Sequence, residues 1–465
     1  MVSRQRTFWL VFVFVTCALA IGSASGLAQQ RRPAQQPAAP AVQPAPPPAP
    51  ALGRLPAILT LREQAEMYDA WLTVRLDRLL PELMRAEGFD MWIVICRENV
   101  EDPVFRSLVP FTTMYASRTS ILMFTDKGPE GVERLSVSRA GIGQLYKAAW
   151  DPDRVDQWTR VGELVKDRSP KKIGINESDT FNYGDGITAT MKKKLMAALP
   201  AEFQSRVQPA ERLAIRWLER RTPDEMEVYP HIVAIAHGII AEAFSRTVIT
   251  PGVTTTEDVV WYFRERSRQL GLENWFQPTV DIQRPRDTPY GASKVIHRGD
   301  LLHCDFGIRY LSLCTDTQQM AYVLKDGEAD APKGLRDAFA KGNRLQDIHL
   351  AEMRVGLTGN AMLAAILKRA KTEGLQASVY THPIGFHGHA AGTIIGLWDQ
   401  QGGVPGRGDF PLFEDTAHSV ELNIRSVVPE WGNIDVRIPL EQDILFRRGG
   451  ASWMDQRQTA LTLIR

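Results

Sequence analysis

The stretch that decides the fold is residues 299–317, which read GDLLHCDFGIRYLSLCTDT. Two strand-like segments, Leu301–Phe306 and Leu313–Tyr322, flank a turn that contains a glycine, and this pattern predicts a β-hairpin. The hairpin would set Asp305 and Asp316 opposite each other on one face of the sheet. Two facing carboxylates repel each other unless a proton or a cation lies between them. The stretch therefore indicates a cation site, although both acids would also suit turn caps or ion pairs with a nearby arginine.

A second stretch, residues 381–389, reads THPIGFHGH and holds three of the nine histidines of the chain. Its glycines, Gly385 and Gly388, would let the backbone approach a ligand closely. A single histidine is more often a core or surface side chain than a ligand. Three histidines this close together favour a metal or catalytic site instead.

Two further acids, Glu421 and Glu441, stand in apolar, strand-like surroundings. A buried carboxylate without a partner is costly, so we expect both to face a cation. The neighbouring acids Asp443, Glu414 and Asp415 are interpreted as turn or surface charges.

In chain order the candidate ligands are Asp305, Asp316, His382, Glu421 and Glu441. This oxygen-rich set with one imidazole suits Mn, Co or Zn better than a thiolate site would. Five ligands are too many for one catalytic ion that keeps an open position. Two divalent ions about 3.5–4 Å apart, sharing carboxylates and a water molecule, fit the set better.

The first half of the chain reads as an α/β domain without a chemical motif. Leucines and a methionine at helical spacing form one apolar stripe between Leu76 and Met84. The segments Met91–Cys96, Thr119–Phe124 and Lys172–Ile175 are strand-like. We predict one domain over residues 55–208 and a second over residues 209–465. The second begins with a long helix that follows Pro223 and is ended by Pro251-Gly252.

The N-terminus has the composition of a targeting segment. Two arginines precede an apolar run of 14 residues, Phe8–Ile21, which is shorter than the roughly 20 residues needed to span a bilayer. The length suits a signal peptide over residues 1–28, and the Pro/Ala/Gln-rich residues 29–54 suit an extended linker. Cys17 lies in a poor lipidation motif, so we expect a secreted or periplasmic protein without a stable membrane anchor.

Composition excludes other classes of protein. The 465 residues include 55 Lys and Arg against 54 Asp and Glu, a balance without long-range attraction for nucleic acid. Beyond the predicted signal peptide three cysteines remain, Cys96, Cys304 and Cys314, which we expect to be buried as small apolar residues.

The second half resembles the pita-bread metallopeptidases of family M24, which include methionine aminopeptidase, aminopeptidase P and prolidase, and the first half resembles the creatinase/prolidase N-terminal domain. Five ligand positions in the family's order carry the resemblance, together with the motif H-x-x-G-x-x-x-H that starts at His382. The resemblance implies an α+β fold, in which a creatinase-like α/β domain precedes a pita-bread catalytic domain.

The resemblance also implies a role for each ligand. Asp305 would bind one metal ion, and Asp316 and Glu441 would bridge both ions. The second ion would be bound by His382 together with Glu421.

The implied chemistry is hydrolysis of a peptide bond. A metal-bridging water has a lowered pKa and attacks as hydroxide, Glu421 would accept and pass its proton, and His389 would stabilise the oxyanion. The implied enzyme is an exported dinuclear aminopeptidase that removes the residue before a proline at the second position of a peptide. Relatives with this domain layout are commonly homodimers.

One departure from the family leaves two alternatives open. The family has a further catalytic histidine in the loop before the first aspartate strand, but the corresponding residues, Thr279–Lys294, contain none. His297 and His303 lie too close to Asp305 to replace it by alignment. The alternatives are a catalytically impaired peptide-binding module and a metal-free amidinohydrolase like creatinase; retention of all five ligands argues against the latter.

Overall fold

The structure, a computed structural model, describes residues 55–139 and 141–465. The predicted signal peptide, residues 1–28, and the predicted linker, residues 29–54, lie outside the described residues. Within the described ranges, no helix combines the length and the apolar character that crossing a bilayer requires.

The first half is an α/β layer built on one mixed sheet. Its helices are α1 (Leu61–Val74), α2 (Leu80–Ala86), α3 (Gln157–Arg168), α4 (Ala189–Ala198), α5 (Ala201–Gln204) and α6 (Glu211–Glu219). Its strands are β1 (Met91–Arg97), β2 (Thr119–Asp126), β3 (Val132–Ser136), β4 (Lys147–Ala148), β5 (Ile173–Ile175) and β6 (Val207–Pro209). They lie in the order β4-β3-β2-β1-β5-β6. The three strands predicted from the sequence are confirmed as β1, β2 and β5.

The apolar stripe of the first helix is buried as predicted. One π-helical turn, Arg75–Leu79, joins α1 to α2 without a break. Leu76, Leu80 and Leu83 have almost no exposed surface and pack on the β1 side of the sheet. The chain leaves the helix at Gly88, whose φ of +70° is a conformation that glycine adopts without strain.

The second half is a large, mainly antiparallel sheet with helices against it. Its helices are α7 (Pro223–Ala243), α8 (Thr256–Gln269), α9 (Lys333–Glu352) and α10 (Gly359–Thr372). Its strands are β7 (Thr279–Gln283), β8 (Leu301–Phe306), β9 (Arg309–Tyr310), β10 (Leu313–Cys314), β11 (Thr317–Val323), β12 (Gln376–Pro383), β13 (Thr416–Val428), β14 (Ile434–Arg447), β15 (Gly450–Trp453) and β16 (Thr462–Ile464). The main path is β12-β13-β14-β11-β8-β7; β15 pairs with β14, β16 pairs with β11, and β9 and β10 form a separate small hairpin.

The long helix after Pro223 is present, but it is shorter than its sequence pattern indicates. Thr222 and Glu225 form a capping box at its start. It ends at Ala243, ahead of the Pro251-Gly252 pair that would be expected to stop it. The hydroxyl of Ser245 donates to the carbonyl oxygen of Glu242 at 2.6 Å, so this side chain competes for a group that a continuing helix would use.

The two halves share apolar contacts, and all described residues fall in one compact unit. Trp71 of α1 packs in the same cluster as α7 and α8, while Ala391 and Phe410 of the second half pack with α1, α2 and β1. The boundary between residues 208 and 209 stays a prediction. The three cysteines are buried and free, as expected.

Candidate metal centre

Strand register places three predicted acids side by side across the large sheet. Asp305 of β8 is opposite Gln318 of β11, Gln318 is opposite Glu441 of β14, and Glu441 is opposite Glu421 of β13. Directly opposed residues of antiparallel strands point to the same face of a sheet. Three carboxylates and one amide therefore converge on one surface.

A second row lies two residues further along the same strands. His382 of β12 is opposite Ser419 of β13, and Ser419 is opposite Asp443 of β14. The backbone N–H of Asp316 donates to Oδ2 of Asp443 at 3.1 Å, which adds Asp316 to this row. Because side chains alternate along a strand with a period of two, the second row shares the face of the first.

The predicted hairpin is confirmed, but its register differs from the expectation. Gln318, not Asp316, lies opposite Asp305. The reason is the separate β9–β10 hairpin at the tip, which delays the start of β11 until Thr317. Asp305 and Asp316 still meet, because Asp316 reaches the cluster from the adjacent row.

The structure brings together all five predicted ligands and His389. Potential ligand atoms lie within 4.8 Å of one another in three overlapping groups: Asp305, Asp316 and Glu441; His382, Glu421 and Glu441; and Asp316, His382 and His389. Nε2 of His382 lies 3.4 Å from Oδ2 of Asp316 and 3.4 Å from Oε1 of Glu441. Asp316, His382 and Glu441 each belong to two of the groups. We term Glu441 the central carboxylate because its charge raises the pKa of four neighbouring carboxyls.

The orientation of His382 suits a ligand. Its Nδ1 lies 3.0 Å from the carbonyl oxygen of Pro383. A carbonyl oxygen only accepts, so Nδ1 carries the hydrogen in this contact and Nε2 faces the carboxylates. Histidine ligands of metals are commonly held this way, with the other ring nitrogen donating to a carbonyl or carboxylate.

The cluster is electrostatically unfavourable on its own. Burial raises the pKa of four carboxyls, and the negative charge of Glu441 raises it further. The four are Asp305, Asp316, Glu421 and Asp443. The pKa of Glu421 rises to about 8. Four buried atoms have no hydrogen-bond partner among the described residues: Oδ1 of Asp305, Asp316 and Asp443, and Nε2 of His382. Divalent cations would satisfy these atoms and offset the repulsion, so the residues present fit metal ions.

Sequence reasoning missed three contributors to this cluster. Asp443 was interpreted as a turn or surface charge, and this was wrong: it is 2% exposed. Its position two residues after Glu441 in a strand was the available signal. Gln318 and Ser419 gave no signal as uncharged residues, yet each donates to Glu441 at 2.8 Å. Asp415 fits the turn interpretation, with a φ of +57° and an ion pair to Arg220.

His389 lies at the exposed side of the cluster. Its ring centroid is 4.7 Å from that of His382 and 5.2 Å from that of Trp275. The Tyr380 hydroxyl lies 3.4 Å from its Nε2. Partial burial, followed by the positive charge of His382, lowers the pKa of His389 to about 4. His389 is therefore neutral near pH 7 and free to donate a hydrogen bond.

The loop between His382 and His389 rests on buried charges. The ring of Phe386 contacts two guanidinium groups, with centroid distances of 5.0 Å to Arg75 and 4.7 Å to Arg221. Glu225 pairs with Arg75 at 3.0 Å and with Arg221 at 3.1 Å. The loop is thus held by residues from both halves of the chain.

Comparison with protein-family models matches residues 231–447 to metallopeptidase family M24. This range contains all five predicted ligands. Comparison with curated protein sequences gave no match.

Comparison with solved structures finds the same fold at low sequence identity. An X-Pro aminopeptidase from Thermotoga maritima aligns with a TM-score of 0.58 and 17% identity over 82% of this chain and 99% of its own. A Xaa-Pro dipeptidase from Bacillus anthracis aligns with a TM-score of 0.58 and 19% identity over 87% of this chain and 100% of its own. The dipeptidase PepE from Mycobacterium ulcerans aligns with a TM-score of 0.57 and 16% identity over 86% of this chain and 98% of its own. These likenesses confirm the predicted α+β fold over both halves.

Proposed function

From the match of residues 231–447 to metallopeptidase family M24, we propose that the chain is a metal-dependent aminopeptidase. The enzyme would be exported, would bind two divalent ions and would hydrolyse an N-terminal Xaa-Pro bond. The observation that carries the proposal is the cluster of carboxylates around His382, with buried oxygen atoms that lack partners among the described residues. The names of the structural neighbours support the substrate class, since those proteins act on peptides with proline after the first residue.

The donor set suggests how two divalent ions, Mn, Zn or Co, would be shared. Asp305 would bind one ion, His382 and Glu421 the other, and Asp316 and Glu441 would bridge them. When bound, the two ions would activate a water molecule as the nucleophile and polarise the scissile carbonyl.

The residues of the chain would then handle protons and developing charge. In the metal-free chain, burial and the charge of Glu441 raise the pKa of Glu421 to about 8. Bound cations would keep its carboxyl ionised, and Glu421 would then accept the proton of the nucleophile and pass it on. His389 is neutral near pH 7 and is placed to donate a hydrogen bond to the oxyanion.

We also propose where the protein acts and in what form. The composition of residues 1–28 supports a cleaved signal peptide and residues 29–54 a spacer, so the enzyme would work in the periplasm or outside the cell. We further propose a homodimer. Cell fractionation with N-terminal sequencing of the mature chain tests export, and a start within residues 1–20 would contradict it; light scattering tests the dimer.

A peptide-binding module with impaired catalysis is the second candidate. It is favoured by one observation, the absence of histidine between residues 279 and 294. It predicts metal and peptide binding without turnover.

The deciding experiment is a metal-dependent cleavage screen. Full-length protein is stripped with a chelator and reloaded with Mn²⁺, Zn²⁺ or Co²⁺. It is then offered Xaa-Pro, Xaa-Pro-Xaa and matched Xaa-Ala peptides. We expect release of the first residue from proline peptides only, and only after reloading. Metal uptake without cleavage would favour the binding module, and the absence of uptake would contradict the metal centre.

A further inference from the structure

We propose that His303 is a positioning residue for the candidate metal centre: its Nε2–H fixes the side-chain amide of Gln318, and Gln318 in turn fixes the carboxylate of Glu441. The inference rests on the metal centre of the proposed function. It gives a role to a histidine that lies on the Asp305 strand and that the proposed chemistry leaves unused.

A continuous chain of contacts joins His303 to the central carboxylate. Nε2 of His303 lies 2.9 Å from Oε1 of Gln318, and Nε2 of Gln318 lies 2.8 Å from Oε2 of Glu441. The three residues are 7%, 4% and 1% exposed, so water competes little for these contacts. Asp281 of β7 is opposite His303. Its carboxylate lies 3.7 Å from Nδ1 of His303 and is 66% exposed, so it contributes little to holding the imidazole.

The direction of each hydrogen bond follows from donor chemistry. An ionised carboxylate only accepts, so Gln318 must turn its NH₂ group toward Glu441. The amide oxygen of Gln318 then faces His303. An amide oxygen also only accepts, so Nε2 of His303 must carry the hydrogen. A rotated amide would place its oxygen against the carboxylate of Glu441, where two acceptors repel each other.

The orientation of the Glu441 carboxylate is fixed by two hydrogen bonds. Its Oε1 accepts from the hydroxyl of Ser419 at 2.8 Å, and its Oε2 accepts from Gln318 at 2.8 Å. Both oxygens are therefore held, and the plane of the carboxylate is set. Because Glu441 belongs to two of the three ligand groups, a turn of this plane would misplace a ligand for both proposed ions.

Without His303, the amide oxygen of Gln318 loses its buried donor, and the side chain is held only by its hydrogen bond to Glu441. Changes in residues that hold metal ligands typically weaken metal binding by roughly 10–100-fold. Glutamine at position 303 would keep an N–H group at about the position of Nε2, and leucine would remove it. The pair His303→Gln and His303→Leu thus separates hydrogen bonding from packing.

The test measures Mn²⁺ affinity of the metal-free full chain by titration calorimetry. We expect His303→Leu to bind Mn²⁺ at least about tenfold more weakly, and His303→Gln to stay within about threefold of the unmodified protein. His297→Leu is the control, since His297 stacks on Tyr290 at 3.6 Å and is absent from the contact chain. Equal affinity of the leucine variant, or equal loss in both variants, would overturn the proposal.

A second measurement needs no metal and does not depend on the leucine variant. Long-range ¹H–¹⁵N spectra of the metal-free protein should show that Nε2 of His303 is protonated, with His303→Gln used to assign the signal. A bare Nε2 would overturn the proposal. Mn²⁺ binding without peptide cleavage would count against the peptidase function alone, whereas a protein that binds no Mn²⁺ would contradict the metal centre and this inference together.

Discussion

Arg75 of the first half and Glu225 of the second form an ion pair at 3.0 Å, and each side chain is 1% exposed. Arg75 also donates to the backbone carbonyls of Trp217 and Arg220, which lie at the end of α6. The pair therefore joins the first helix, the connection between the halves and the start of α7. Through the ring of Phe386 it also supports the loop that carries His382 and His389.

Breaking this pair should destabilise the whole chain. Without Arg75, Glu225 keeps Arg221 as a partner, but it loses one buried ion pair and two backbone carbonyls lose their donor. Breaking a buried ion pair typically costs about 3–5 kcal/mol. We expect Arg75→Met to lower the midpoint of urea unfolding clearly, as followed by tryptophan fluorescence. Arg134→Met is the control, because the pair of Arg134 with Asp77 is exposed and should contribute less than about 1 kcal/mol. Equal effects of the two changes would contradict the structural role of Arg75.

Substituting an acid of the carboxylate cluster should stabilise the metal-free protein and destabilise the metal-loaded protein. In the metal-free chain, Asp316 is a carboxyl whose pKa is raised by burial and by neighbouring acids. Asp316→Asn removes the cost of burying this ionisable group and should raise the free energy of unfolding by roughly 1–3 kcal/mol. With Mn²⁺ in excess the same change should lower it, because a proposed ligand is lost. Chemical unfolding with and without Mn²⁺ checks this. Asp337→Asn, on the exposed side of α9, should show no such reversal.

His389 should affect turnover and leave metal binding intact. Loss of a single oxyanion donor typically lowers kcat by about 10²–10³-fold. We expect His389→Ala to show that loss on a Xaa-Pro peptide with unchanged metal content, measured by elemental analysis. His382→Ala should lose metal as well as activity. If the His389 variant also lost its metal, the assignment of His389 to the oxyanion would be wrong.

Asp102 should make stability depend on pH in the first half of the chain. Burial raises its pKa from an ordinary value near 4 to about 7, although the N–H groups of Val104 and Asn176 oppose this shift. The folded state therefore holds a proton that the unfolded state releases, and the resulting stability is present at low pH and lost as pH rises to about 7. Each pH unit in this window corresponds to about 1.4 kcal/mol.

The check is urea unfolding at several values between pH 4.5 and 8. Asp102→Asn should flatten the decline of unfolding free energy with pH, since an amide does not ionise. Asp153→Asn, at an exposed position, is the control and should leave the slope unchanged. An unaltered slope in the Asp102 variant would mean that another group is responsible.

The sequence was sufficient to predict which side chains cluster, but not their exact arrangement. Glu421 and Glu441 could be identified because a charge in an apolar strand needs a partner. Their direct opposition depends on the register of β13 and β14, which the packing of a whole face determines. Asp443 was missed although it stands in the same strand-like run as Glu441, two residues further on and therefore on the same face.

Long-range partners were beyond the reach of sequence reasoning. Arg75 and Glu225 are 150 positions apart, and an arginine within a helix is most often solvent-exposed. Gln318 and His303 carry no distinctive spacing, so only their contacts reveal that they belong to the centre. By contrast, the first helix, the strands β1, β2, β5 and β8 and the helix α7 followed from local sequence patterns.

The strands β11 and β14 meet at a single register pair, Gln318 and Glu441. The first hairpin supplies the proposed ligands Asp305 and Asp316, and β12 to β14 supply the other three. A bound ion that took ligands from both sides would act as a crosslink across this narrow seam, closing a loop of more than a hundred residues. Local opening of the sheet would then be coupled to metal release. Amide hydrogen exchange should report that opening at β11 and β14 before other strands of the sheet.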